Sequence, residues 1–276
     1  MPEGHTLFRL ARDIDAAFGG RRARVSSPQG RFAADAAALD GSVLLGAESA
    51  GKHLFVGFEG DRHVHVHLGL IGKFDVNQGA AGAPVGQVRL RLQNETAYAD
   101  LRGATQCELV GPSRRAEILD KLGPDPLRPD ADPERAWQRI SRSPRSIGEL
   151  LMDQAVLAGV GNVYRAEVLF RHRIDPLRPG RTLRRRQFDA IWSDLVDLLA
   201  EGVRTGRIDT VRAEHTPEAM GREPRVDDHG GEVYVYRRAG QPCHVCGATV
   251  RTAELAGRNS FWCPRCQPRF RSRAVG

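Results

Sequence analysis

Long apolar runs are absent from this 276-residue sequence, and none approaches the length of about 18 residues that a membrane-spanning helix requires. The opening residues MPEGHTLFRL lack the basic and apolar regions of a secretory signal, so we expect a cytoplasmic protein. Three motifs are also missing: the phosphate-binding loop G-x-x-x-x-G-K-[ST], the serine-hydrolase elbow G-x-S-x-G and the zinc-protease pattern H-E-x-x-H. These absences argue against membrane and secreted proteins and against three large enzyme classes.

Acidic residues are scarce in one region only, and the net charge of +7 is concentrated there. Residues 237–276 contain eight arginines and one acid, Glu254, whereas the charges of the preceding 236 residues balance. A basic patch confined to so short a segment indicates a polyanionic partner such as nucleic acid. A well-solvated tail is the alternative that charge alone leaves open.

Cysteines are few, but four of the five form the pattern C-x2-C-x16-C-x2-C at Cys243, Cys246, Cys263 and Cys266. Each C-x2-C pair lets two thiolates reach one tetrahedral ion, and the sixteen residues between the pairs suffice for a β-hairpin. The spacing therefore predicts one structural zinc ion bound by four thiolates. For the remaining Cys107 we expect a packing role as a small apolar side chain.

Hydrophobic periodicity divides the chain into a β-rich part and a helical part. A helix is predicted over residues 5–18, and short strands of an antiparallel sandwich are predicted over 53–58, 63–68, 73–76, 87–92 and 96–101. Six of the sixteen prolines lie between residues 111 and 146, which predicts a domain boundary near residue 128. Beyond it, helical patterns cover 136–141, 147–154, 163–173 and 183–202, and residues 206–231 read as an irregular loop.

Three histidines, His63, His65 and His67, alternate along one predicted strand and so share one face. A metal site is one interpretation. No carboxylate or thiolate joins them within the strand itself, so we favour a partly solvated strand face.

The N-terminus offers a possible nucleophile. Removal of the initiator methionine would leave Pro2 with a free secondary amine, which titrates near neutral pH, far below a lysine. Condensation of this amine with an aldehyde-level carbon gives a cationic iminium, and the adjacent Glu3 could carry the proton. Many sequences begin with Met-Pro by coincidence, so this pattern alone decides nothing.

Four features taken together resemble the formamidopyrimidine-DNA glycosylase/endonuclease VIII family. They are Pro2-Glu3, the strand-entry pair Gly51-Lys52, the segment LMDQAVLAGVGNVYRAEVLF, and a four-cysteine finger followed by Gln267. The resemblance spans Pro2 to Gln267 and implies an α+β multidomain fold. Its parts would be an antiparallel β-sandwich with flanking helices (1–128), a helix-two-turn-helix domain (129–236) and a β-hairpin zinc finger (237–276).

The same resemblance assigns roles to individual residues. It implies that Pro2 forms a Schiff base with the sugar, that Glu3 shuttles protons, and that Lys52 is a general acid/base that binds phosphate. Arg258 would be the hairpin arginine that grips the phosphates and assists the second elimination. DNA contacts are implied for Leu70, Ile71, Arg102, Lys121, Gly161 and Asn162. The implied partner is damaged DNA, bound by a monomer in the cytoplasm near the nucleoid.

Departures from the family pattern bear on the substrate. Members that act on oxidised purines show D-P-R-R-F-G, whereas this chain keeps Arg102 but continues with Gly103-Ala104. Gly148 replaces a lysine, Thr6 replaces a glutamate, and Lys121 stands where the endonuclease VIII branch places a phosphate-binding arginine. We therefore expect a bifunctional glycosylase and AP lyase for oxidised pyrimidines. The alternatives are the same chemistry on oxidised purines, and a zinc-dependent DNA-binding protein without catalysis.

Overall fold

The computed structural model describes residues 2–226 and 231–271, and its contacts divide the chain into two units, Met1–Leu122 and Gly123–Gly276. The division lies inside the proline-rich segment, a few residues before the predicted boundary at 128. The finer division into 1–128, 129–236 and 237–276 stays a prediction. No helix in the described part of the chain is long and apolar enough to cross a membrane.

The first unit consists mainly of β-strands. In chain order they are β1 (Arg21–Arg22), β2 (Arg24–Ser26), β3 (Val43–Ala50), β4 (His53–Phe58), β5 (Arg62–His67), β6 (Lys73–Gln78), β7 (Val88–Gln93), β8 (Ala97–Arg102) and β9 (Gln106–Val110). They form two antiparallel sheets, with the spatial orders β1-β3-β4-β5-β9 and β2-β7-β8-β6. Three helices accompany the sheets: α1 (Gly4–Phe18), α2 (Ala33–Leu39) and α3 (Pro112–Asp120). This is the predicted sandwich with flanking helices.

Alternation of side chains along the strands builds the core of this unit. Leu54, Val56 and Phe58 of β4 are fully buried, and Val64 and Val66 of β5 pair beside them on the same face. Since successive residues of a strand point to opposite faces, the intervening residues lie on the other side of the sheet. The apolar residues predicted to line one side of the first helix are buried: Leu7, Leu10, Ile14 and Phe18.

The second unit is mainly helical. Its helices are α4 (Pro133–Ser141), α5 (Ile147–Leu150), α6 (Asn162–Arg171), α7 (Arg185–Thr205) and α8 (Pro217–Met220), and its hairpin strands are β10 (Arg251–Leu255) and β11 (Arg258–Trp262). One apolar cluster joins the helices to the hairpin and to the cysteines, and its fully buried members include Ile140, Leu157, Val160, Tyr164 and Leu195. The hairpin therefore packs on the helical part of this unit.

Two predicted elements differ from the structure. The helix expected over 147–154 ends at Leu150, because the side chain of Gln154 bonds the carbonyls of Met152 and Val160 and the amide of Gly159, which holds a turn instead. The expected loop 206–231 contains helix α8 and a 3-10 turn at Ala213–His215. Residues 227–230 of that loop lie outside the described residues.

Strands β1, β2, β3 and β9 and helices α2 and α3 were not predicted. β3 carries Gly46 and Glu48 among apolar residues and is only partly buried, so it lacks the alternation that identified its neighbours. Helix α3 buries a single residue, Ile118, so its sequence shows almost no apolar stripe.

Candidate functional site

The predicted nucleophile and acid lie at the start of α1. Glu3 is the N-cap residue and is fully buried, and its carbonyl accepts hydrogen bonds from the amides of Thr6 (2.9 Å) and Leu7 (3.4 Å). The half-buried Pro2 precedes it directly. The positive end of the helix dipole favours a carboxylate at this place. The structure thus puts a buried acid next to the predicted amine.

His5 is also buried, in the first turn of the same helix. Burial, followed by the charge of Arg9, lowers the pKa of His5 to about 4. The side chain is therefore neutral at physiological pH, and it adds no positive charge beside Pro2 and Glu3.

Lys52 lies in the two-residue turn between β3 and β4, because Ala50 pairs directly with His53. Gly51, the first residue of this turn, has φ of 57°, a conformation that glycine adopts at little cost. Two-residue hairpin turns leave the chain little freedom. The backbone of the half-buried Lys52 is therefore fixed at one end of the five-stranded sheet.

Leu70 and Ile71 occupy the turn between β5 and β6 and point into solvent, with 49% and 81% of their surface exposed. The amide of Gly72 bonds the carbonyl of Leu68 (3.1 Å), which closes the turn. A side chain at Gly72 would collide with that same carbonyl, so the turn requires glycine there. Two large apolar side chains are therefore exposed at the tip of a tight turn.

Arg102 ends β8 near this tip, since the following Gly103 lies against Ile71. Its guanidinium donates to Asp100 (2.8 Å) and to the carbonyl of Val85 (2.9 Å). Asp100 is itself buried and accepts a bidentate pair of bonds from Arg91, at 2.7 and 2.8 Å. Arg102 is thus anchored within the sheet, and its DNA contact stays a prediction.

Lys121 is the residue that ends α3, and it is exposed. A cation at a helix C-terminus is favoured by the helix dipole. The helix dipole therefore gives a structural reason for a lysine at this position, in addition to its predicted contact with phosphate.

In the second unit, the turn before α6 is tied to the zinc finger. Asn162 is buried, and its amide donates to the carbonyl of Asn259 (3.0 Å) while its oxygen accepts from Arg165. The fully buried Arg165 also bonds the carbonyl of Asn259 (3.1 Å). Gly161 is the N-cap residue of the helix. The structure therefore brings the predicted residues Gly161 and Asn162 to the strand that begins at Arg258.

Arg258 follows a two-residue turn in the finger hairpin, where Leu255 pairs with it. The two turn residues, Ala256 and Gly257, have φ of 50° and 71°. Positive φ at both positions identifies the turn type that matches the twist of a hairpin. Arg258 therefore stands at the base of a well-defined tip.

The four predicted zinc ligands come together. The sulfur atoms of Cys243, Cys246, Cys263 and Cys266 all lie within 4.8 Å of one another, with Cys246–Cys263 at 3.4 Å and Cys243–Cys266 at 3.9 Å. A zinc ion with four thiolates at about 2.3 Å places them about 3.8 Å apart, so the cluster fits. Gln267 braces it, since its side chain accepts from the amide of Cys263 (3.0 Å) and donates to Ile174 (2.8 Å).

Glu167 is a buried anchor that sequence reasoning missed. Its carboxylate accepts hydrogen bonds from the hydroxyl of Thr210 (2.6 Å) and from three successive backbone amides: Tyr234 (2.6 Å), Val235 (2.9 Å) and Tyr236 (2.8 Å). The residue is fully buried in α6. An acid between Ala166 and Val168 in an apolar helix was the available clue, because buried acids are rare without partners.

The histidine face is partly solvated at His63 and His67, as expected, but not at His65 between them. His65 is 1% exposed, and it bonds Glu108 of β9, which pairs opposite it. Strand β5 itself carries no carboxylate, but its pairing with β9 brings Glu108 next to His65. Within the described residues, the group of metal-ligating side chains with all donor atoms within 4.8 Å is the four-cysteine cluster, and the histidines are not in it.

Three family models match this chain. The formamidopyrimidine-DNA glycosylase N-terminal domain matches residues 1–107, the formamidopyrimidine-DNA glycosylase H2TH domain matches 122–213, and a zinc finger found in FPG and IleRS matches 240–269. The protein "Endonuclease 8 1" of Mycobacterium tuberculosis (strain ATCC 25618 / H37Rv) is 54% identical over 274 residues, covering 97% of this chain and 100% of that protein. The chain belongs to the formamidopyrimidine-DNA glycosylase/endonuclease VIII family.

Other relatives agree. "Probable endonuclease 8 2" of Streptomyces coelicolor (strain ATCC BAA-471 / A3(2) / M145) is 32% identical over 280 residues, covering 97% of this chain and 94% of that protein. The crystal structure of Lactococcus lactis Fpg in complex with abasic-site DNA superimposes with a TM-score of 0.79 at 22% identity, covering 97% of this chain and 100% of that one. The family, the α+β fold with its finger and the four-cysteine zinc site are thus confirmed, and the chain is a member of a family of base-excision DNA glycosylases.

Proposed function

We propose that the chain is a bifunctional DNA glycosylase and AP lyase that removes oxidised pyrimidines through an N-terminal proline Schiff base. The observation that carries the proposal is Glu3, a fully buried acid directly after Pro2 at the start of α1. A carboxyl group is rarely buried without a task, and here it lies within one residue of the proposed nucleophile.

In the first half of the reaction, the damaged nucleotide leaves the base stack and the Pro2 nitrogen attacks C1′ of its sugar. The bond from C1′ to the base breaks, and the base departs with a proton. Glu3 donates or returns the protons that sugar-ring opening requires. The product is a cationic iminium between Pro2 and C1′, in which the positive nitrogen withdraws electrons from the sugar.

In the second half, the iminium acidifies the proton on C2′. Loss of this proton expels the 3′ phosphate, and a further elimination expels the 5′ phosphate. Lys52 serves as the general acid/base at the first steps, and Arg258 neutralises phosphate charge during the second. Hydrolysis of the iminium then releases the sugar fragment and restores the free amine, leaving a gap of one nucleoside.

DNA binding divides between the two units in this proposal. Amides at Gly161 and Asn162 bind a phosphate beside the lesion, and Lys121 and Arg102 bind the backbone elsewhere. Leu70 and Ile71 fill the space that the extruded base leaves, as apolar wedges do in other kinking proteins. Zinc, held by the four cysteines, supplies no chemistry to the reaction and only fixes the finger that carries Arg258.

The preference for pyrimidines rests on the sequence Arg102-Gly103-Ala104. A purine removed opposite cytosine leaves an orphan base that must be held by its hydrogen-bonding edge. Gly103 and Ala104 offer neither a donor nor a planar ring, and the exposed tip of Leu70 and Ile71 excludes water without reading the edge. Such a plug suits lesions that tolerate different opposite bases.

Borohydride trapping on abasic-site DNA tests the enzymatic assignment. A covalent complex is expected with the mature chain, and an N-terminal extension should abolish it because an amide nitrogen is not nucleophilic. Pro2→Gly retains a primary amine and should keep some trapping. Full strand cleavage by a protein with an intact N-terminal tag would refute the role of Pro2. DNA binding without any trapping would favour the non-catalytic alternative.

Single-turnover excision on matched duplexes tests the substrate. We expect thymine glycol and dihydrouracil to be released faster than 8-oxoguanine opposite cytosine. If 8-oxoguanine is released faster than both pyrimidines, the oxidised-purine alternative is correct.

A further inference from the structure

The outer face of the five-stranded sheet carries a chain of hydrogen-bonded titratable side chains. Nδ1 of His53 lies 2.8 Å from Nε2 of His65, and Nδ1 of His65 lies 3.0 Å from Oε1 of Glu108. The three residues come from adjacent strands β4, β5 and β9. His65, in the middle, is 1% exposed, whereas the side chain of Glu108 is 42% exposed. The middle of the chain is therefore buried, whereas Glu108 at one end reaches solvent and His53 at the other end is half-buried.

Hydrogen-bonding rules fix the protons along this chain. An ionised carboxylate only accepts, so Nδ1 of His65 carries its proton and donates to Glu108. The Nε2 of a neutral His65 is then an acceptor, and Nδ1 of His53 must donate to it. His53 is left with Nε2 as its acceptor nitrogen. One carboxylate thereby sets the tautomers of two imidazole rings, the arrangement that second-shell acids use to orient histidines.

The His53 end of the chain lies beside the lysine turn. His53 follows Lys52 directly and pairs in register with His67, whose ring centroid lies 5.1 Å from its own. His67 experiences the charge of Lys52. On the other side, Phe55 stacks on His65 with ring centroids 5.0 Å apart and shields that ring.

We propose that Glu108 and His65 are positioning residues that hold His53 as an Nε2 acceptor and relay protons between the Lys52 turn and solvent. This relay deepens the function proposed above and rests on it, because it serves the protons that Lys52 exchanges during elimination.

One relay cycle balances. A proton from the Lys52 turn binds to Nε2 of His53, and the Nδ1 proton of His53 passes to Nε2 of His65. The Nδ1 proton of His65 passes to the carboxylate of Glu108, which releases it to water through its exposed side. Each histidine ends neutral in the opposite tautomer. The next transfer runs in reverse: Glu108 takes a proton from water and passes it to Nδ1 of His65, Nε2 of His65 protonates Nδ1 of His53, and the Nε2 proton of His53 returns to the Lys52 turn. One proton thus leaves the turn in the first transfer and one returns in the second, as a general acid/base requires, the starting tautomers are restored, and no redox partner is needed.

Burial, more than the charges around the chain, disfavours protonation of these rings. Burial, followed by His65 and His67, lowers the pKa of His53 to about 4. Burial also lowers the pKa of His65, against the raising effect of Glu108, and Arg114 of α3 lowers it further. Burial and then Lys52 lower the pKa of His67.

At the end of this face that lies away from Lys52, the neighbouring charges cancel in an ion pair. Arg115 of α3 forms an ion pair with Glu48 of β3 and lies over the ring of Phe55. His63, the remaining histidine of β5, is affected by burial first and then by Arg115, and its pKa is lowered too. A neutral, preset chain is what proton transfer in both directions requires.

Nitrogen NMR of the histidine side chains tests the tautomers without any assay of activity. With signals assigned from His53→Gln and His65→Gln variants, the wild-type protein should show protonated Nδ1 and unprotonated Nε2 at both rings. Glu108→Gln should release this preference, since an amide can also donate. A wild-type spectrum with Nε2 protonated on His53 would overturn the proposal.

Kinetics test the relay. Strand cleavage by Glu108→Gln should fall about tenfold in kcat, with KM within about twofold and an altered pH profile, as loss of a proton-transfer partner predicts. Glu95→Gln, in the exposed turn between β7 and β8, should behave as wild type. A Glu108→Gln protein with the wild-type rate and pH profile would refute the relay. Failure of the wild-type chain to trap abasic DNA would instead refute the proposed function, and the NMR result would still decide the tautomers.

Discussion

The two units hold the side chains of the proposed site, and the contacts that support them, in different ways. In the first, Lys52, Leu70 and Ile71 are presented by short turns whose geometry depends on adjacent residues. In the second, Asn162 is held by Asn259, and Glu167 is held by the backbone of residues 234–236. Both partners lie about 70 positions or more further along the chain. Positions set by local turns tolerate changes elsewhere, whereas positions set by distant segments require all of those segments to be folded. Buried contacts in the second unit should therefore be the more sensitive.

Loss of zinc should have the largest effect, and it should be confined to the second unit. Cys263→Ser removes one of four thiolates, and the binding free energy of a structural zinc ion is also folding free energy. We expect zinc content to fall from about one ion per chain to almost none, and DNA affinity to fall at least about a hundredfold. Metal analysis and fluorescence anisotropy with duplex DNA measure both.

Cys107→Ala is the matched control, because Cys107 is buried in the sandwich and belongs to the first unit. Its zinc content and DNA affinity should stay at wild-type levels. Normal DNA binding by the Cys263→Ser protein would contradict the structural role of the cluster.

Replacing Glu167 should have the next largest effect. Glu167→Gln keeps the shape but puts a donor nitrogen opposite donors, so at least one buried amide or hydroxyl loses its partner. The free energy of unfolding should fall by about 3 kcal/mol. Urea denaturation measures it, and the exposed Glu218→Gln should keep the wild-type midpoint. A change within error for Glu167→Gln would show that the anchor is dispensable.

A pH-dependent effect of intermediate size is expected at Asp194 on α7. Burial raises the pKa of this carboxyl, but His172 and Arg171 outweigh burial and lower the pKa to about 2. A carboxyl group whose pKa is lower in the folded state than in the unfolded state stabilises the fold at pH values above its unfolded-state pKa. This stabilisation is lost as the pH falls through its folded-state pKa. Asp194→Asn should thus be less stable than wild type by about 1 kcal/mol at neutral pH, after allowance for solvent screening.

The difference in stability between Asp194→Asn and the wild-type protein should shrink as the pH falls from about 4 to about 2. Thermal unfolding across that range checks it. Asp197→Asn, an exposed change on the same helix, should follow the wild-type curve. A constant gap between Asp194→Asn and wild type down to pH 2 would show that the ion pairs do not set the stability.

The same contrast explains what the sequence could reveal. The cysteine pairs could be predicted from their spacing, and Lys52 and the turn of Leu70 and Ile71 from the resemblance to short family motifs, because the geometry of each is local. The partners Asn259 for Asn162 and Glu108 for His65 depend on which distant strands and helices pair, and periodicity carries no information about that. Glu167 lay inside a motif that was recognised, yet its ligands are backbone amides, which have no sequence signature.

The smallest effect on stability is expected at Ile71, where function alone should suffer. Ile71 is 81% exposed, so Ile71→Ala should change the free energy of unfolding by less than about 0.5 kcal/mol. If its side chain fills the gap left by the extruded base, excision from duplex DNA should slow about tenfold, since unstacking costs a few kcal/mol and the plug offsets part of it. Excision from single-stranded DNA should be unchanged, because no stacked partner is left behind. Leu45→Ala, 60% exposed in β3, is the matched control and should not affect either substrate. Equal slowing on both substrates would assign Ile71 to general DNA binding, and no slowing on either would leave the apolar tip without a role in base extrusion.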